Sequence, residues 1–271
     1  MMGSSLGGNP IQYMTEKAFT QLGLDWRYVS LEISPEDLAD AVRGMKVMGF
    51  HGGNCEMPHK ETIGPLLDAL GPTAELTGVV NLIRRENDEL VGENTEGKAL
   101  VDLLRERDEL AGRRVVLLGA GRMAKAVAVE LATAGVTDIT IVDRTELRAA
   151  ELAKLLNDKL KTVALPVLWK EGYFVPLETD LVIHASSTVS GDPDAPLSVD
   201  LERLDPRATV VDVTIDPPDT RLLGQARKRG CTTLDGVEIF TNQVFLNFQM
   251  WTGVEPERPL LREAIEEFLE L

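Results

Sequence analysis

A glycine-containing turn in the middle of the chain constrains the fold more strongly than any other feature. The apolar run Val115 to Leu118 leads into Gly119-Ala120-Gly121-Arg122-Met123-Ala124, and an amphipathic segment then continues to Gly135. In a G-x-G-x-x-A turn between a strand and a helix, the first glycine permits a tight turn, the second lets the backbone approach a pyrophosphate, and the small last residue lets helix and strand pack closely. A second apolar run, Ile139 to Val142, follows. The sequence therefore predicts a dinucleotide-binding unit, the alternative being a buried glycine turn without a ligand.

The residues after that second run bear on which dinucleotide is bound. Asp143 could accept a hydrogen bond from an adenosine ribose 2′-hydroxyl, which suits NAD, whereas Arg144 and Arg148 could hold a 2′-phosphate, which suits NADP. Two cations one helical turn apart outweigh one carboxylate, so we expect NADP, with NAD possible and solvated arginines as the alternative. The predicted cofactor-binding residues are Gly119, Ala120, Gly121, Arg122, Met123, Ala124, Asp143, Arg144, Thr145, Arg148 and Gly236.

The position of this unit divides the chain. With 271 residues the chain is long enough for two domains with separate cores, and about 110 residues precede the nucleotide-binding unit. We predict a substrate-binding α/β domain over 1–110 and a Rossmann-type doubly wound NAD(P)-binding domain over 111–235. Helices over 236–271 are predicted to return to the first domain.

Composition limits the partners and the location. The chain has 28 basic and 44 acidic residues, a formal net charge of −16, which disfavours nucleic acid and membrane partners because both need clustered Lys and Arg. No apolar run of about 18 residues and no charged-then-apolar leader occur in the sequence, so we expect a cytoplasmic protein. Cys55 and Cys231 lie far apart, which excludes a disulfide scaffold. The three histidines lack zinc-ligand spacing, so no metal is expected.

Elsewhere the apolar pattern and the turn residues predict alternating strands and helices. The predicted strands are Trp26 to Ile33, Val79 to Arg85, Glu89 to Glu93, Leu181 to His184 and Thr209 to Thr214, with Asn87-Asp88 joining the second and third as a hairpin or pair. The predicted helices run from the N-cap Ser34 to near Gly49, from His59 to Leu70 after Pro58, from Gly97 to Leu110, from Gln243 to Trp251, and from Leu260 to Leu271.

Further short motifs follow one another in a fixed order. They are Gly53-Asn54-Cys55-Glu56-Met57-Pro58-His59-Lys60, Val79-Val80-Asn81, Glu93-Asn94-Thr95-Glu96-Gly97, the glycine turn, Asp143-Arg144-Thr145, and Gln243 with Phe248-Gln249-Met250-Trp251-Thr252-Gly253. This order resembles the shikimate dehydrogenase family, whose members show N-V-T-x-P-H-K, A-V-N-T, N-T-D-G, G-A-G-G-A, N-R-T and Q-x-x-x-x-F-x-x-W-T-G at these places. The resemblance covers nearly the whole chain. It implies reduction of 3-dehydroshikimate to shikimate with NADPH, or action on related cyclic polyols such as quinate.

The same resemblance assigns roles to single residues. It implies that Lys60 is the catalytic lysine and Glu96 its charged partner, and that Asn54, Asn81 and Gln243 contact the substrate. Hydride transfer to a ketone develops negative charge on oxygen, which an ammonium can stabilise and protonate. An isolated lysine has a pKa of about 10.4, so proton shuttling near neutral pH would need burial or another influence. Without the resemblance, Lys60 would be a solvated helix residue and the amides would be strand-end and helix-surface groups.

Several positions depart from the family pattern. Glu96 replaces an aspartate and extends the carboxylate by one methylene, which costs rate if it misplaces the charge. Glu56 replaces a threonine and would bring a carboxylate to a pocket that in the family receives an anion, unless it turns to solvent. The family's N-terminal S-x-S-P is missing, and Asn9 and Gln12 stand there as amide donors. Ile215 replaces a tyrosine, and a hydroxyl is lost.

These departures shape the expected function. We expect an NADP-dependent oxidoreductase, monomeric or homodimeric, that acts on a small cyclic polyol or hydroxy acid. Because of Glu56, shikimate itself is predicted to be a poor substrate, and a ring without the carboxylate, or with an amine, a better one. The alternative for the substrate is that Glu56 points away and that Asn9 and Gln12 hold the carboxylate. The alternative for the function is a non-catalytic protein that binds nucleotide or a sugar-acid ligand.

Overall fold

The computed structural model describes residues 1–170, 172–186 and 199–271. The chain divides into two compact units, one made of Met1–Ala99 with Thr241–Leu271 and the other of Leu100–Phe240. Within the described ranges, none of the helices is long and apolar enough to cross a membrane. The expected domain limits at 110 and 235 stay predictions.

Short strands alternate with helices in the described part of the chain. The strands are β1 (Met2–Gly3), β2 (Leu31–Glu32), β3 (Gly52–Asn54), β4 (Ala69–Leu70), β5 (Leu82–Glu86), β6 (Glu89–Glu93), β7 (Arg114–Leu118), β8 (Asp138–Asp143), β9 (Val163–Leu168), β10 (Tyr173–Phe174), β11 (Leu181–His184), β12 (Val199–Asp200), β13 (Thr209–Asp212) and β14 (Thr232–Leu234). The α-helices are α1 (Ile11–Gln21), α2 (Leu38–Val47), α3 (Pro72–Thr77), α4 (Glu96–Arg105), α5 (Arg122–Thr133), α6 (Glu146–Lys159), α7 (Arg221–Arg229), α8 (Gly236–Thr252) and α9 (Arg258–Leu269).

The second unit is built on a parallel sheet with the strand order β14-β13-β11-β7-β8-β9. Numbered along the chain and read from the other edge, this is the order 3-2-1-4-5-6 of a Rossmann-type doubly wound sheet. Its central strands are continuous apolar runs because both faces of such a sheet are covered, and Val116, Val182 and Val210 all lie in one buried core. The predicted fold class and the predicted βαβ unit around the glycine turn are confirmed.

The first unit contains a smaller mixed sheet of order β3-β5-β6-β4. Strands β5 and β6 form the predicted hairpin, and its two turn residues, Asn87 (φ 48°) and Asp88 (φ 65°), adopt the left-handed conformation that two-residue hairpin loops require. Val42, Ile83 and Leu90 belong to the hydrophobic core that this sheet helps to enclose. Because β6 ends at Glu93, the hairpin determines where α4 begins, at Glu96.

Most predicted helices lie where expected and differ only at their ends. Ser34 is an N-cap as predicted, because its Oγ accepts a hydrogen bond from the Asp37 N–H at 3.3 Å at the start of a 3₁₀ turn that leads into α2. The helix predicted over Gly97 to Leu110 is shorter, since α4 ends at Arg105. Helix α8 is longer than predicted and begins at Gly236.

Two predicted elements are wrong. The segment from His59 to Leu70 is not one helix but two 3₁₀ turns, His59–Glu61 and Gly64–Leu66, followed by β4. Pro65 explains the break, because proline has no backbone N–H to continue the hydrogen bonding of the first turn and is tolerated only at the start of a new one. The strand predicted over Trp26 to Ile33 is reduced to β2, because β1 offers it only two residues as a pairing partner.

Candidate active site

Three charged side chains of the first unit meet around Lys60. The Nζ atom of Lys60 lies 3.0 Å from Oε1 of Glu96 and 2.8 Å from Oε2 of Glu56. Only 13% to 24% of each side chain is exposed, so the cluster is largely shielded from solvent. The resemblance implied that Lys60 and Glu96 are partners, and the structure brings them into contact with Glu56 beside them.

Glu96 is held in place by the capping of α4. The Oδ1 atom of Asn94 accepts a hydrogen bond from the Glu96 N–H at 3.1 Å, and its Nδ2 donates to the Val79 carbonyl at 3.2 Å. Asn81 binds the intervening residue, since its Oδ1 accepts from the Thr95 N–H at 2.8 Å and its Nδ2 donates to Thr95 Oγ1 at 2.9 Å. Short polar side chains satisfy the first N–H groups of helices in this way, and a carboxylate in the first turn is favoured by the helix dipole. Asn81 therefore helps to position Glu96 indirectly, because it holds the preceding residue, Thr95.

Lys60 lies on the 3₁₀ turn that follows Pro58. Its backbone carbonyl accepts from the Val80 N–H at 2.8 Å, and its N–H donates to the Glu56 carbonyl at 3.3 Å. The preceding His59 is fully buried, and its Nε2 lies 2.9 Å from the Ile33 carbonyl oxygen. This contact gives His59 a packing role and leaves Lys60 as the ionisable group of the turn that faces the two carboxylates.

The two carboxylates control the ionisation of Lys60. Burial lowers the pKa of Lys60, but the charges of Glu96 and Glu56 and their hydrogen bonds outweigh burial and raise the pKa from 10.5 to about 12. At neutral pH the side chain is therefore an ammonium. An ammonium suits protonation of a ketone oxygen, whereas alcohol oxidation with Lys60 as base would first require loss of this proton.

Glu56 turns into the cluster and not to solvent. While its Oε2 contacts Lys60, its Oε1 accepts a hydrogen bond from Asn9 Nδ2 at 3.3 Å. The Oδ1 atom of Asn9 in turn accepts from the Ile11 N–H at 3.0 Å, at the start of α1. Asn9 thus lies beside the cluster, but its amide donates to Glu56.

The other predicted substrate contacts differ in their surroundings. Asn54 is buried, its Oδ1 accepting from the Tyr28 hydroxyl at 2.6 Å and its Nδ2 donating to the Asn81 carbonyl at 3.2 Å. Gln12 donates from Nε2 to the Tyr28 carbonyl at 3.2 Å. Gln243 lies buried on α8. Asn54 is therefore linked by its side-chain amide to Asn81, whose own side chain binds Thr95 beside Glu96, and the Gln12 amide donates to Tyr28.

In the second unit, the glycine turn has the conformation that its sequence predicts. Gly119 has φ 115°, and a Cβ at this position would lie 2.7 Å from the Ala185 carbonyl oxygen. Gly121 is extended with open space beside it, and it is the N-cap of α5, whose first residues are Arg122 and Met123. Ala124 is fully buried and lets α5 pack closely. A helix N-terminus that begins at a glycine beside open space fits a dinucleotide pyrophosphate.

Asp143 joins the glycine turn to the turn after β8. Its Oδ2 accepts from the Ala120 N–H at 2.8 Å and its Oδ1 from the Thr145 N–H at 2.7 Å. Thr145 is the N-cap of α6, and Arg144 and Arg148 are exposed on either side of it. Because both carboxylate oxygens already accept backbone hydrogen bonds, Asp143 has a structural role. Arg144 and Arg148 are the exposed cations beside this turn that match a 2′-phosphate in charge.

Gly236 owes its presence to close packing at the start of α8. A Cβ at this position would collide with the backbone carbonyl of Thr214. Glycine is therefore required here whether or not a nucleotide is bound. The predicted contact of Gly236 with the cofactor stays a prediction.

Asp212 lies in a polar cluster of the second unit that was not predicted from the sequence. Its Oδ2 lies 3.1 Å from His184 Nδ1, and His184 Nε2 lies 2.7 Å from Ser186 Oγ. Burial raises the pKa of Asp212, but the hydrogen bond and charge of His184, with the hydrogen bonds from Thr214, bring it below its ordinary value. His184 and Asp212 are register partners on the parallel strands β11 and β13. A polar residue at the end of the predicted strand Leu181 to His184, and a second one inside the predicted strand Thr209 to Thr214, were the signal that could have found the pair.

Two parts of the chain match known protein families, and together they span most of the sequence motifs described above. Residues 6–83 match the shikimate dehydrogenase substrate binding domain, and residues 102–190 match the shikimate / quinate 5-dehydrogenase domain. The chain is 36% identical to shikimate dehydrogenase (NADP(+)) of Methanopyrus kandleri, over 97% of this chain and 94% of that protein. This chain belongs to the shikimate dehydrogenase family. A further member, shikimate dehydrogenase (NADP(+)) of Bacillus subtilis, is 33% identical over 95% of this chain and 94% of its own length.

Solved structures share the fold over nearly the whole chain. A ligand-free 5-ketofructose reductase from a Gluconobacter species superposes with a TM-score of 0.94 at 38% identity, covering 98% of this chain and 96% of that one. Shikimate 5-dehydrogenase of Listeria monocytogenes, in complex with shikimate and NAD, superposes with a TM-score of 0.89 at 28% identity, covering 97% and 94%. The shikimate dehydrogenase fold therefore carries both a ring-acid dehydrogenase and a keto-sugar reductase among the proteins similar to this chain.

Proposed function

We propose that this protein is an NADP-dependent oxidoreductase that interconverts a ketone and a secondary alcohol in a small polyhydroxylated molecule. The observation that carries the proposal is the shielded contact of Lys60 with Glu96, in a chain that also has the strand, glycine turn and helix of a nucleotide site. The relatives named shikimate dehydrogenase (NADP(+)) support the reaction class and the cofactor. A shielded lysine–carboxylate pair is a candidate catalytic group, and it favours an enzyme over a non-catalytic binding protein.

The residues of the second unit fit the cofactor. Gly121 and the N-terminus of α5 would hold the pyrophosphate, and Arg144 with Arg148 would hold the 2′-phosphate. When bound, NADPH supplies a hydride for the carbonyl carbon of the substrate. The backbone of the glycine turn is kept in place by Asp143, which accepts from the Ala120 N–H.

Lys60 supplies the proton of the reduction. Its ammonium donates a hydrogen bond to the ketone oxygen and transfers a proton as that oxygen gains negative charge. The ketone thus becomes an alcohol, and the neutral amine that remains is reprotonated from solvent. Glu96 keeps Lys60 charged and directed, because it contacts Nζ at 3.0 Å and is itself held by the cap of α4.

Two substrate classes occur among similar proteins. The shikimate dehydrogenases point to 3-dehydroshikimate and shikimate, and the 5-ketofructose reductase points to a keto sugar. We therefore propose a small cyclic polyol or keto sugar as the substrate. The free thiols of Cys55 and Cys231 support a reducing compartment, and we propose the cytoplasm, with a monomer or homodimer as the assembly.

The proposal is tested by measuring NADPH oxidation with 3-dehydroshikimate and with 5-ketofructose. The wild type should turn over at least one of them, and Lys60→Met should lower kcat by at least about 10²-fold while the Kd of NADPH stays nearly unchanged. Lys46→Met is the matched control, because Lys46 also pairs with a carboxylate, Asp68, at 2.7 Å but on the exposed surface. A loss of NADPH affinity as the only effect of Lys60→Met would remove Lys60 from the chemistry. Binding of NADPH without any turnover would favour the non-catalytic alternative.

A further inference from the structure

The cluster around Lys60 carries one positive and two negative charges. Its ammonium contacts carboxylates on both sides, at 2.8 Å and 3.0 Å, so its charge is already more than balanced within the protein. No more than 24% of any of the three side chains is exposed. Water therefore screens these charges less than it would in solution, and a further anion brought beside them is repelled more strongly.

We propose, building on the oxidoreductase function above, that Glu56 makes this site select polyhydroxylated ketones that lack a carboxylate. Ring acids such as 3-dehydroshikimate are then poor substrates. The residue acts by charge and not by taking part in proton or hydride transfer.

The carboxylate of Glu56 is fixed within the cluster. Its Oε2 contacts Lys60 and its Oε1 accepts from Asn9 Nδ2 at 3.3 Å, so both oxygens have a partner. Its backbone N–H donates to the Met2 carbonyl at 2.8 Å, which holds the residue from a third side. Rotation of the side chain to solvent would break both side-chain contacts and leave Lys60 with Glu96 alone. Glu56 is thus a fixed part of the charge that an incoming substrate meets.

The amides that could hold a substrate carboxylate already donate elsewhere. The Nδ2 of Asn9 donates to Glu56, and the Nε2 of Gln12 donates to the Tyr28 carbonyl at 3.2 Å and to Glu16 Oε1 at 3.4 Å. A substrate carboxylate would therefore meet an anion where it needs donors, and a site that leaves a charge unpaired discriminates strongly against that ligand.

Neutral hydroxyl groups suit the same surroundings. A hydroxyl can donate to either carboxylate and accept from the Lys60 ammonium, so a polyol satisfies both kinds of group in the cluster. A hydroxylated ketone without an acid group can therefore present its carbonyl oxygen to Lys60 without bringing a further anionic charge beside the two carboxylates. The charge balance favours a keto sugar or a neutral keto-cyclitol over a ring acid.

Binding of an acid and of its ester measures this selection directly. Shikimate and methyl shikimate share ring and hydroxyl groups and differ in charge, and calorimetric titration in the presence of NADP⁺ gives the Kd of each. A carboxylate about 6 Å from Glu56 at an effective dielectric constant of about 20 predicts that the wild type binds the ester tighter by on the order of 10²-fold. In Glu56→Gln the difference should shrink to less than about 10-fold, because the repelling charge is gone.

Glu61→Gln is the matched control for the binding experiment. Glu61 lies on the same 3₁₀ turn as Lys60 but is exposed, so the acid-to-ester ratio of this variant should equal that of the wild type. Glu56→Thr is a second variant of the same position, and the wild-type ratio is informative even if both Glu56 variants fail to fold. The proposal is overturned if wild-type protein binds shikimate as tightly as the ester, if neither ligand binds, or if Glu56→Gln leaves the ratio unchanged.

Turnover separates this proposal from the function on which it rests. With NADPH, the wild type should reduce 5-ketofructose with a higher kcat/KM than 3-dehydroshikimate, and Glu56→Gln should raise kcat/KM for 3-dehydroshikimate relative to the neutral ketone. A wild-type preference for 3-dehydroshikimate overturns the role of Glu56 and leaves the oxidoreductase function intact. Absence of turnover with every ketone and both cofactors refutes the oxidoreductase function. In that case the ratio of the two Kd values, for the acid and for the ester, still tests whether the charge of Glu56 selects against carboxylates.

Discussion

Lys60 illustrates, at the scale of single residues, how neighbouring charges decide the state of a side chain. Burial alone would favour the neutral amine, but two carboxylates within 3.0 Å reverse this and raise the pKa to about 12. A raised pKa means that the ion pairs stabilise the fold below the unfolded value of about 10.5 and lose this contribution as the pH rises through about 12. The cluster is therefore intact at neutral pH.

The pH dependence of ketone reduction checks this ionisation. As the proposed acid, the Lys60 ammonium contributes to kcat/KM below its pKa and not above it, so Lys60 should cause no decline between about pH 7 and pH 10 in the wild type. Glu56→Gln removes one of the two charges that raise the pKa of Lys60, and the alkaline decline should move to lower pH. The measurement is a pH profile of kcat/KM for a neutral ketone with saturating NADPH. An unmoved decline in the variant would mean that Glu56 does not control Lys60.

Cofactor choice is also decided by single residues. Arg144→Ala should weaken NADP⁺ binding by about 10- to 100-fold, because a charge-assisted hydrogen bond to a phosphate is lost, and should change NAD⁺ binding little. Fluorescence titration with each cofactor gives the two Kd values. Arg113→Ala is the control, since Arg113 pairs with Asp108 away from the glycine turn. Equal losses for both cofactors would contradict a contact with the 2′-phosphate.

Backbone conformation governs function at the scale of the elements. In the turn between β7 and α5, Gly119 is needed because of its φ of 115° and its approach to Ala185, whereas Gly121 has an ordinary extended conformation and open space beside it. The two glycines therefore have different physical reasons to be there. The first is required by the fold, and the second leaves room at the end of a helix for an anionic ligand.

Alanine at each glycine should separate stability from binding. Gly119→Ala should lower the free energy of unfolding by about 1–3 kcal/mol or more, through a strained φ and a backbone collision. Gly121→Ala should change it by less than about 1 kcal/mol but weaken NADP⁺ binding at least about 10-fold, because a methyl group occupies the space of the pyrophosphate. Urea unfolding and NADP⁺ titration of both variants provide the comparison. A Gly121→Ala variant with wild-type affinity would place the pyrophosphate elsewhere.

Charge dominates at the scale of the whole molecule. A net charge of −16 over 271 residues means that folding brings like charges together, and this repulsion opposes the compact state. Local pairs such as Lys17 with Glu267 and Arg107 with Glu238 offset only part of it, since 44 acidic residues face 28 basic ones. Added salt should therefore raise the free energy of unfolding more than it does in a protein of balanced charge.

Thermal unfolding at different salt concentrations checks this expectation. At neutral pH, Tm should rise when NaCl is increased from about 10 mM to about 200 mM, because the Debye length shortens and like charges repel less. At a pH close to the isoelectric point of about 4.7, the same increase should change Tm much less, because the net charge is small there. A fall in Tm at neutral pH would mean that the ion pairs, which salt also screens, outweigh the net repulsion.

Local turns and caps were predictable from the sequence, whereas a helix boundary and a long-range side-chain contact were not. The hairpin turn at Asn87 and the N-cap at Ser34 were predictable because each depends on the conformational preferences of a few adjacent residues. The helix predicted from His59 to Leu70 failed because Pro65 outweighed the surrounding pattern. Asp212 was not predicted because its contact with His184 joins residues 28 positions apart on neighbouring strands, and the predicted sheet order places the strands side by side but not their side chains in register.

The sequence by itself determined the nucleotide-binding unit and the shikimate dehydrogenase pattern, because glycine conformations, apolar runs and ordered motifs are properties of short segments. Only the tertiary structure decided that Glu56 turns toward Lys60 and that Asp143 accepts two backbone hydrogen bonds. Side-chain direction and ionisation depend on groups that are distant in the chain, as Asn9 is from Glu56 and Glu96 from Lys60. The charge at the site is therefore a property of the folded arrangement and not of any one motif.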